Sequence, residues 1–341
     1  MKLWFERGAW ASRGGRKKIE RMSRADVKHI VVIRHAALGD MILVRPFLIE
    51  LRHFFPESKI TLSIVSNYTY GAPTELVDSI HVVKGSDQQN VRIIDLFTRA
   101  RELGQVDMLF DLADTTRSRY LCLLTKAKIK IGFPYRNSLR RLLFDAAVFR
   151  SDFAFESCNM LDTLMLLGAK PQFPLNFGWV GDQHRVDSRE IGNVILYFPF
   201  ASINSKCWPR QRFIELIRTL SRQLSNYRHI VLGGITPAES LHPYRGSLNG
   251  LGNVFFNEAA SLADTIRLVR SAELLISNDT GIRNLAIGLD IPTVGIFFST
   301  VPYRYWPHWG RHEVVCDPNG FIPDVESVSN SVMSVLNRSP Q

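Results

Sequence analysis

Leu274-Leu275-Ile276-Ser277-Asn278-Asp279-Thr280-Gly281-Ile282-Arg283-Asn284-Leu285-Ala286 reads as a buried strand that empties into a polar turn and opens a helix. The first backbone N–H groups of a helix have no partner within it, and the helix dipole is positive at that end. Thr280 and Gly281 would therefore offer an anion amide donors and a hydroxyl. An alternative stays open on these residues alone: Asp279 or Thr280 caps the helix and Gly281 permits a tight turn.

Outward from this stretch, the second half reads as alternating strands and helices. Strands are expected over 194–198, 229–232 and 293–297, and helices over 213–224 and 262–269. A polar loop spans 200–209, a Gly233-Gly234 turn follows the second of these strands, and an aromatic loop follows the last. The first half has the same grammar. Ile30-Val31-Val32-Ile33 runs into Arg34-His35-Ala36-Ala37-Leu38-Gly39-Asp40, then into a helix from Met41 through Pro46, Leu51 and Phe54. Further strands are expected over 60–65, 80–83, 108–112 and 129–133, with a helix over 91–103. This pattern predicts two α/β, doubly wound domains, at 28–168 and 193–325, joined by a Pro- and Gly-bearing linker at 169–192 and followed by a C-terminal helix and tail at 326–341. Ligands of open parallel sheets lie beyond the carboxyl ends of the strands, so the loops named above are expected to face a cleft between the domains.

The chain has 341 residues, 45% of them hydrophobic, enough for two cores. It has no uninterrupted apolar run of membrane-spanning length and no secretory signal, which points to the cytoplasm. Cys122, Cys158, Cys207 and Cys316 are scattered without close pairs or histidines at ligand spacing, so they are expected to be reduced packing thiols rather than disulfides or zinc ligands. Of the formal charge of +10, +6 lies in residues 1–28, where nine Lys or Arg face Glu6, Glu20 and Asp26. Residues 1–27 thus read as a basic leader. With Trp4, Phe5 and Trp10 interleaved, it would suit an anionic membrane surface, while Gly8, Gly14 and Gly15 argue against a stable helix. A flexible, solvated leader, or an extension ahead of a start at Met22, is the other reading. No recognition motif supports nucleic acid.

Several residues carry candidate chemistry. Asp40, at the end of the first strand, suits a general base, or else an N-cap for the helix beginning at Met41. Lys206, in Ser202-Ile203-Asn204-Ser205-Lys206-Cys207-Trp208-Pro209, could neutralise a diphosphate, or be a solvated loop lysine. Glu239, beyond Gly233-Gly234, could bind a ribose or sugar hydroxyl, or cap a helix. Arg34, His35 and Arg283 read first as surface residues, and Arg136, Arg140 and Arg141 as a basic rim. Phe297, Phe298, Tyr303, Tyr305, Trp306 and Trp309 could stack on a base or form a hydrophobic seam. A nicotinamide dehydrogenase is disfavoured because the first turn lacks Gly-X-Gly-X-X-Gly.

Leu38-Gly39-Asp40 with Pro46, Ser205-Lys206-Cys207-Trp208-Pro209, Leu232-Gly233-Gly234, and Ser277-Asn278-Asp279-Thr280-Gly281 with Leu285-Ala286 and Ile291-Pro292 follow one another in an order that resembles the family 9 glycosyltransferases, the ADP-heptose:lipopolysaccharide heptosyltransferases. The resemblance implies a GT-B fold, two Rossmann-like domains facing a central cleft, with acceptor on the first and nucleotide sugar on the second. It implies that Asp40 is the base of an inverting transfer of heptose to an inner-core saccharide of lipopolysaccharide. By the resemblance Lys206, Asp279, Thr280 and Gly281 would bind the donor; on the reading of the residues themselves Ser205, Glu239 and Asn284 are expected to join them, and the charge of Arg136, Arg140 and Arg141 suits a lipid A-linked, anionic acceptor. No metal and no cofactor beyond the donor are implied, and the enzyme would be cytoplasmic, touching the inner membrane peripherally. Asn284 stands where the family usually carries His, which leaves room for another nucleotide sugar or for a binding protein without turnover.

Overall fold

Val31, Val32 and Ile33 in the first half, and Leu274, Leu275 and Ile276 in the second, are wholly buried, as parallel strands covered by helices on both faces require. The computed structural model describes residues 8–85, 93–133, 140–179, 193–234, 239–258 and 261–338; the side chains of 93, 94, 140 and 141 fall outside this description. Two compact units divide the chain, residues 1–178 and 179–341.

The sheet of the first unit contains β1 (Ala9–Ala11), β2 (His29–Ile33), β3 (Lys59–Val65), β4 (Ser79–Val83), β5 (Val106–Asp111), β6 (Ala127–Gly132) and β7 (Ala146–Val148). Its order is β4-β3-β2-β5-β6-β7-β1, parallel throughout except for β1, which pairs antiparallel with β7. The second unit contains β8 (Val194–Phe198), β9 (Arg228–Gly233), β10 (Val254–Glu258), β11 (Leu274–Asn278), β12 (Thr293–Ile296) and β13 (His312–Val315), all parallel in the order β10-β9-β8-β11-β12-β13. Counted from β2 and from β8, both sheets run third, second, first, fourth, fifth, sixth. Each therefore has a point where the strand order reverses, between β2 and β5 and between β8 and β11, and loops leaving the carboxyl ends there diverge and open a crevice.

Four expectations need correction. The helix expected from Met41 is two, Leu38–Leu43 and Arg45–Phe54, because Pro46 lacks the N–H a continuous helix needs and is instead accommodated in the first turn of the second. Asp40 consequently lies inside the first of these helices, and Ala37 takes the N-cap position. The leader is not a free tail from Gly8 onward. After β1, Ser12 caps the helix Arg13–Arg21, its hydroxyl accepting from the Gly15 amide at 2.8 Å, and Lys18 pairs with Asp145 at 2.8 Å. Gly15, read as unfavourable to a helix, allows this helix to lie against the Asp145 backbone, where a Cβ would collide.

The linker and the tail also shift. Ala169, Leu175 and Phe177 are buried and Arg45 Nε donates to the Phe177 carbonyl at 2.6 Å, so the chain to Gly178 belongs to the first unit; residues 180–192 of the expected linker lie outside the described residues. The helix Val325–Asn337 buries Val328, Val332 and Val335 against β12, β13 and the helix Arg210–Gln223, as part of the second unit. Among the described residues no helix is long and apolar enough to cross a membrane.

Gly15→Ala separates the packed leader from a free one. In a free helix alanine is favoured over glycine by about 1 kcal/mol, whereas the close approach to Asp145 reverses the sign and destabilises the first unit by about 1–3 kcal/mol. Urea denaturation should show a lower midpoint for Gly15→Ala.

Candidate active site

In the second unit, three segments meet at the reversal point between β8 and β11. The loop after β8 makes one short turn, Asn204–Lys206, and is braced by Trp208, which is 1% exposed. The Trp208 amide donates to Asn278 Oδ1 at 3.0 Å, its indole N–H donates to the Pro323 carbonyl at 2.8 Å, and its ring meets Phe213 edge-on. Asn278, wholly buried at the end of β11, thereby ties the loop to the strand that delivers Asp279.

This bracing sets Lys206 against Asp279, with Nζ 2.6 Å from Oδ2, across 73 positions of sequence. The Thr300 hydroxyl, from the loop after β12, donates to the same oxygen at 2.9 Å. Asp279 is thus engaged by side chains from two other loops and does not cap the helix. Thr280 occupies the N-cap position of the helix Gly281–Gly288 with extended backbone, φ −151°, yet its side chain makes no capping bond. The simple capping alternative does not describe this turn. An ammonium, a threonine hydroxyl and the first amides of a helix lie together, the chemistry of an anion site.

The remaining donor candidates surround this core. Asn284 is buried in the first turn of the same helix, and Ser205 is exposed in the Asn204–Lys206 turn. Glu239 folds back over Gly234, whose amide donates to the Glu239 carbonyl at 3.3 Å; a Cβ on Gly234 would meet the Glu239 side chain and force it to shift. Arg283 corrects the surface reading: it is 1% exposed, its Nη1 donates to the Tyr305 carbonyl at 2.5 Å, and its guanidinium lies 5.3 Å from the centre of the Phe297 ring.

The first unit builds a charged cluster at its own reversal point. Arg34, leaving β2, is also 1% exposed rather than on the surface. Its Nη2 donates to Asp40 Oδ1 at 2.7 Å, and its Nη1 reaches Glu156 Oε1 at 3.2 Å and the Leu112 carbonyl beyond β5. Glu156 is fully buried and receives Arg150 as well, with Nε 3.2 Å from Oε2. Asp40 is held on one oxygen while its side chain remains 29% exposed. A carboxylate fixed on one side and open on the other can accept a proton from a bound hydroxyl.

His35, the next residue along, is likewise buried; its Nε2 lies 3.1 Å from the Ser63 hydroxyl, which in turn meets His81 Nδ1 at 2.9 Å. Burial, helped by the charges of Arg117 and His81, pushes its imidazole down to about 3. Arg136 lies outside the described residues. Arg140 and Arg141 begin the short helix Arg140–Leu143, their side chains outside the description, so the acceptor assignment gains no geometry. All four cysteines are free, and among the described residues no cluster of three or more His, Cys, Asp or Glu is placed to hold a metal ion.

Sequence reasoning missed Thr300, Glu156, Arg150 and the brace formed by Asn278 and Trp208. Thr300 follows a strand at its carboxyl end, where the topology rule for parallel sheets directs attention. Glu156 has no such local signal.

A sequence model of glycosyltransferase family 9 (heptosyltransferase) matches residues 97–331, a span that includes Lys206, Asp279 and Gly281 and leaves out Asp40. Lipopolysaccharide heptosyltransferase 3 of Escherichia coli is 21% identical over 300 residues, covering 81% of this chain and 85% of that protein. Among solved structures, a glycosyl transferase family 9 protein from Veillonella parvula superposes with a TM-score of 0.74 at 22% identity, over 92% of this chain and 98% of its own. The E. coli heptosyltransferase WaaC, solved with ADP-2-deoxy-2-fluoro heptose, gives 0.69 at 16% identity over 90% and 98%. The likeness shows the fold: two Rossmann-type units in one chain, the GT-B fold class.

Two stability predictions follow the buried charges. Glu156→Ala leaves Arg34 with Asp40 as its carboxylate partner and takes the partner from Arg150, and should cost about 1–3 kcal/mol, read from urea unfolding. His312 resembles His35 in being held down to about 3 by burial and by the charges of Arg283 and Arg311. Both histidines bind a proton in the unfolded chain near pH 6.5 but not in the fold, so stability falls as pH drops from about 6.5 towards 3, by up to about 1.4 kcal/mol per pH unit for each. Asp111, buried and raised to about 6, opposes this between pH 6 and its ordinary value. Denaturation at pH 7 and pH 5 should show the loss in wild type and a smaller loss in His35→Asn and His312→Asn.

Proposed function

Because the chain belongs to glycosyltransferase family 9, we propose that it is an inverting transferase that moves heptose from ADP-heptose to an inner-core saccharide of lipopolysaccharide. The observation that carries this is the meeting of Lys206, Asp279 and Thr300 beside the first turn of the helix Gly281–Gly288. An ammonium has three donors, so Lys206 can keep Asp279 and still reach a phosphate oxygen.

The chemistry divides between the units. Asp40 takes the proton of the acceptor hydroxyl as its oxygen attacks the anomeric carbon, and the bond from that carbon to the diphosphate oxygen breaks on the opposite face. The proton ends on Asp40, the electron pair leaves with ADP, and the anomeric configuration inverts. Arg34 aims the carboxylate, and Lys206 with the helix N-terminus stabilises the charge growing on ADP. This assigns the cationic role to protein groups, with no metal in the step.

Ser205, Thr280, Gly281 and Asn284 complete the donor site in this scheme, and Glu239 takes a ribose or sugar hydroxyl. Arg136, Arg140 and Arg141 would meet the anionic groups of the lipid A-linked acceptor. Such an acceptor places the enzyme in the cytoplasm at the inner membrane. The exposed Arg13, Arg16, Lys17, Lys18 and Arg21 of the leader helix give it a basic surface for anionic lipid. Asn284, in place of the family's usual His, favours one second reading, a different nucleotide-sugar donor.

ADP release from ADP-heptose, with and without a deacylated, truncated core acceptor, tests the scheme. Acceptor-dependent release should fall by about 10²-fold or more in Asp40→Ala and in Lys206→Ala. Release from another nucleotide sugar but not from ADP-heptose would move the donor assignment; nucleotide-sugar binding without any release would leave a binding protein. Flotation with anionic liposomes should be lost when residues 1–21 are deleted, and equal flotation of both proteins would remove the leader from the membrane contact.

A further inference from the structure

Arg283 occupies a costly position. It lies in the first turn of the helix Gly281–Gly288, the positive end of the helix dipole, and is 1% exposed. A buried guanidinium is ordinarily matched by a carboxylate and has all its N–H groups bonded. Here one neutral acceptor, the Tyr305 carbonyl, takes Nη1, while Nε and Nη2 are buried without a hydrogen-bond partner. Burial lowers its ionisation to about 10 and Asp279 opposes the shift, so the group stays charged at neutral pH.

The surrounding groups do not supply the missing negative charge. Asp279 already receives Lys206 and Thr300. His312 is held neutral, partly by Arg283 itself, and Arg311 adds a further cation nearby. Phe297 offers only a ring face. The backbone is nevertheless shaped for this side chain: a Cβ on Gly295, in β12, would collide with the Arg283 guanidinium.

With Lys206 matched by Asp279, the uncompensated positive charge is that of Arg283 and of the helix N-terminus, about half a unit for the latter. A single negative charge would not exhaust it. We propose that Arg283 is a specificity residue that makes this site select a diphosphate, supplying the buried positive charge that a nucleoside diphosphate balances and a nucleoside does not. This rests on the reading of the second unit as a nucleotide-sugar site and adds to it the residue that counts phosphates. Arg283 acts from within the protein, through its charge and through its hold on Tyr305, and is a positioning residue rather than a catalytic one.

Calorimetric titration of the full chain with ADP, UDP, GDP, inorganic pyrophosphate and adenosine tests this without turnover. Arg283→Met should weaken binding of the preferred nucleoside diphosphate and of pyrophosphate at least tenfold, leave adenosine within about twofold, and make the remaining binding less sensitive to salt. Arg283→Lys, which keeps the charge, should restore most of the loss. Unchanged diphosphate affinity in a folded Arg283→Met protein would overturn the inference, as would a parallel fall for adenosine and diphosphate, the mark of a purely structural clasp on Tyr305. Should Arg283→Met fail to fold, Gly295→Ala decides in the same assay, because it displaces the guanidinium and keeps its charge: a selective loss of diphosphate affinity supports the inference, and wild-type affinity overturns it. A wild type that prefers UDP or GDP but loses it in Arg283→Met would support the role of Arg283 while overturning ADP-heptose as donor.

Discussion

The contact between Lys206 and Asp279 is the constraint on which the second unit's chemistry depends. It joins the loop after β8 to the turn after β11, the two strands between which the sheet order reverses. Asp279 is buried and Lys206 only partly exposed, so desolvation offsets much of the attraction between them and the pair is weak evidence for stability. Its value lies in placement. The carboxylate holds the ammonium beside the first amides of a helix, and Trp208 and Asn278 hold the loop so that the contact is made by backbone geometry rather than by a searching side chain. Side chains fixed before a ligand arrives lose less entropy when it binds.

The first unit answers the same topological opportunity with opposite chemistry. At the reversal between β2 and β5 it presents a carboxylate, Asp40, rather than a cation, and controls it with a buried arginine. Arg34 is shared between Asp40 and Glu156, and Glu156 between Arg34 and Arg150. Alternating charges therefore run from the fully buried Glu156 to the partly exposed Asp40. Removing one member takes a partner from its buried neighbour, which is costly in a protein interior.

The strand-turn-helix around Ser277-Asn278-Asp279-Thr280-Gly281 was legible because all its signals are local: an apolar run, small polar turn residues, and apolar positions at helical spacing. The two α/β halves were legible for the same reason. Contacts made through topology were not. Nothing in the spacing of Lys206 and Asp279 shows that they touch, and Thr300 gains meaning only when β12 is seen beside β11. Arg34 and Arg283 were read as surface residues because arginine is seldom fully buried unless paired; Glu156 and the Tyr305 carbonyl, which accommodate them, are distant in sequence. Gly14 and Gly15 were read by helix propensity, but Gly15 answers to a close approach of the Asp145 backbone, which only the folded sheet reveals. Pro46 shows the reverse: its missing N–H is a local signal of the helix break, and the reading of one helix from Met41 ran past it.

Whether the proposed anion site holds a nucleoside diphosphate is best decided by a crystal structure of the protein with ADP. A phosphate oxygen is expected at hydrogen-bonding distance, about 3 Å, from both Lys206 Nζ and the Gly281 amide, with Asp279 still on Lys206. ADP bound elsewhere, or bound with its phosphates turned away from Lys206 and the helix N-terminus, would contradict it.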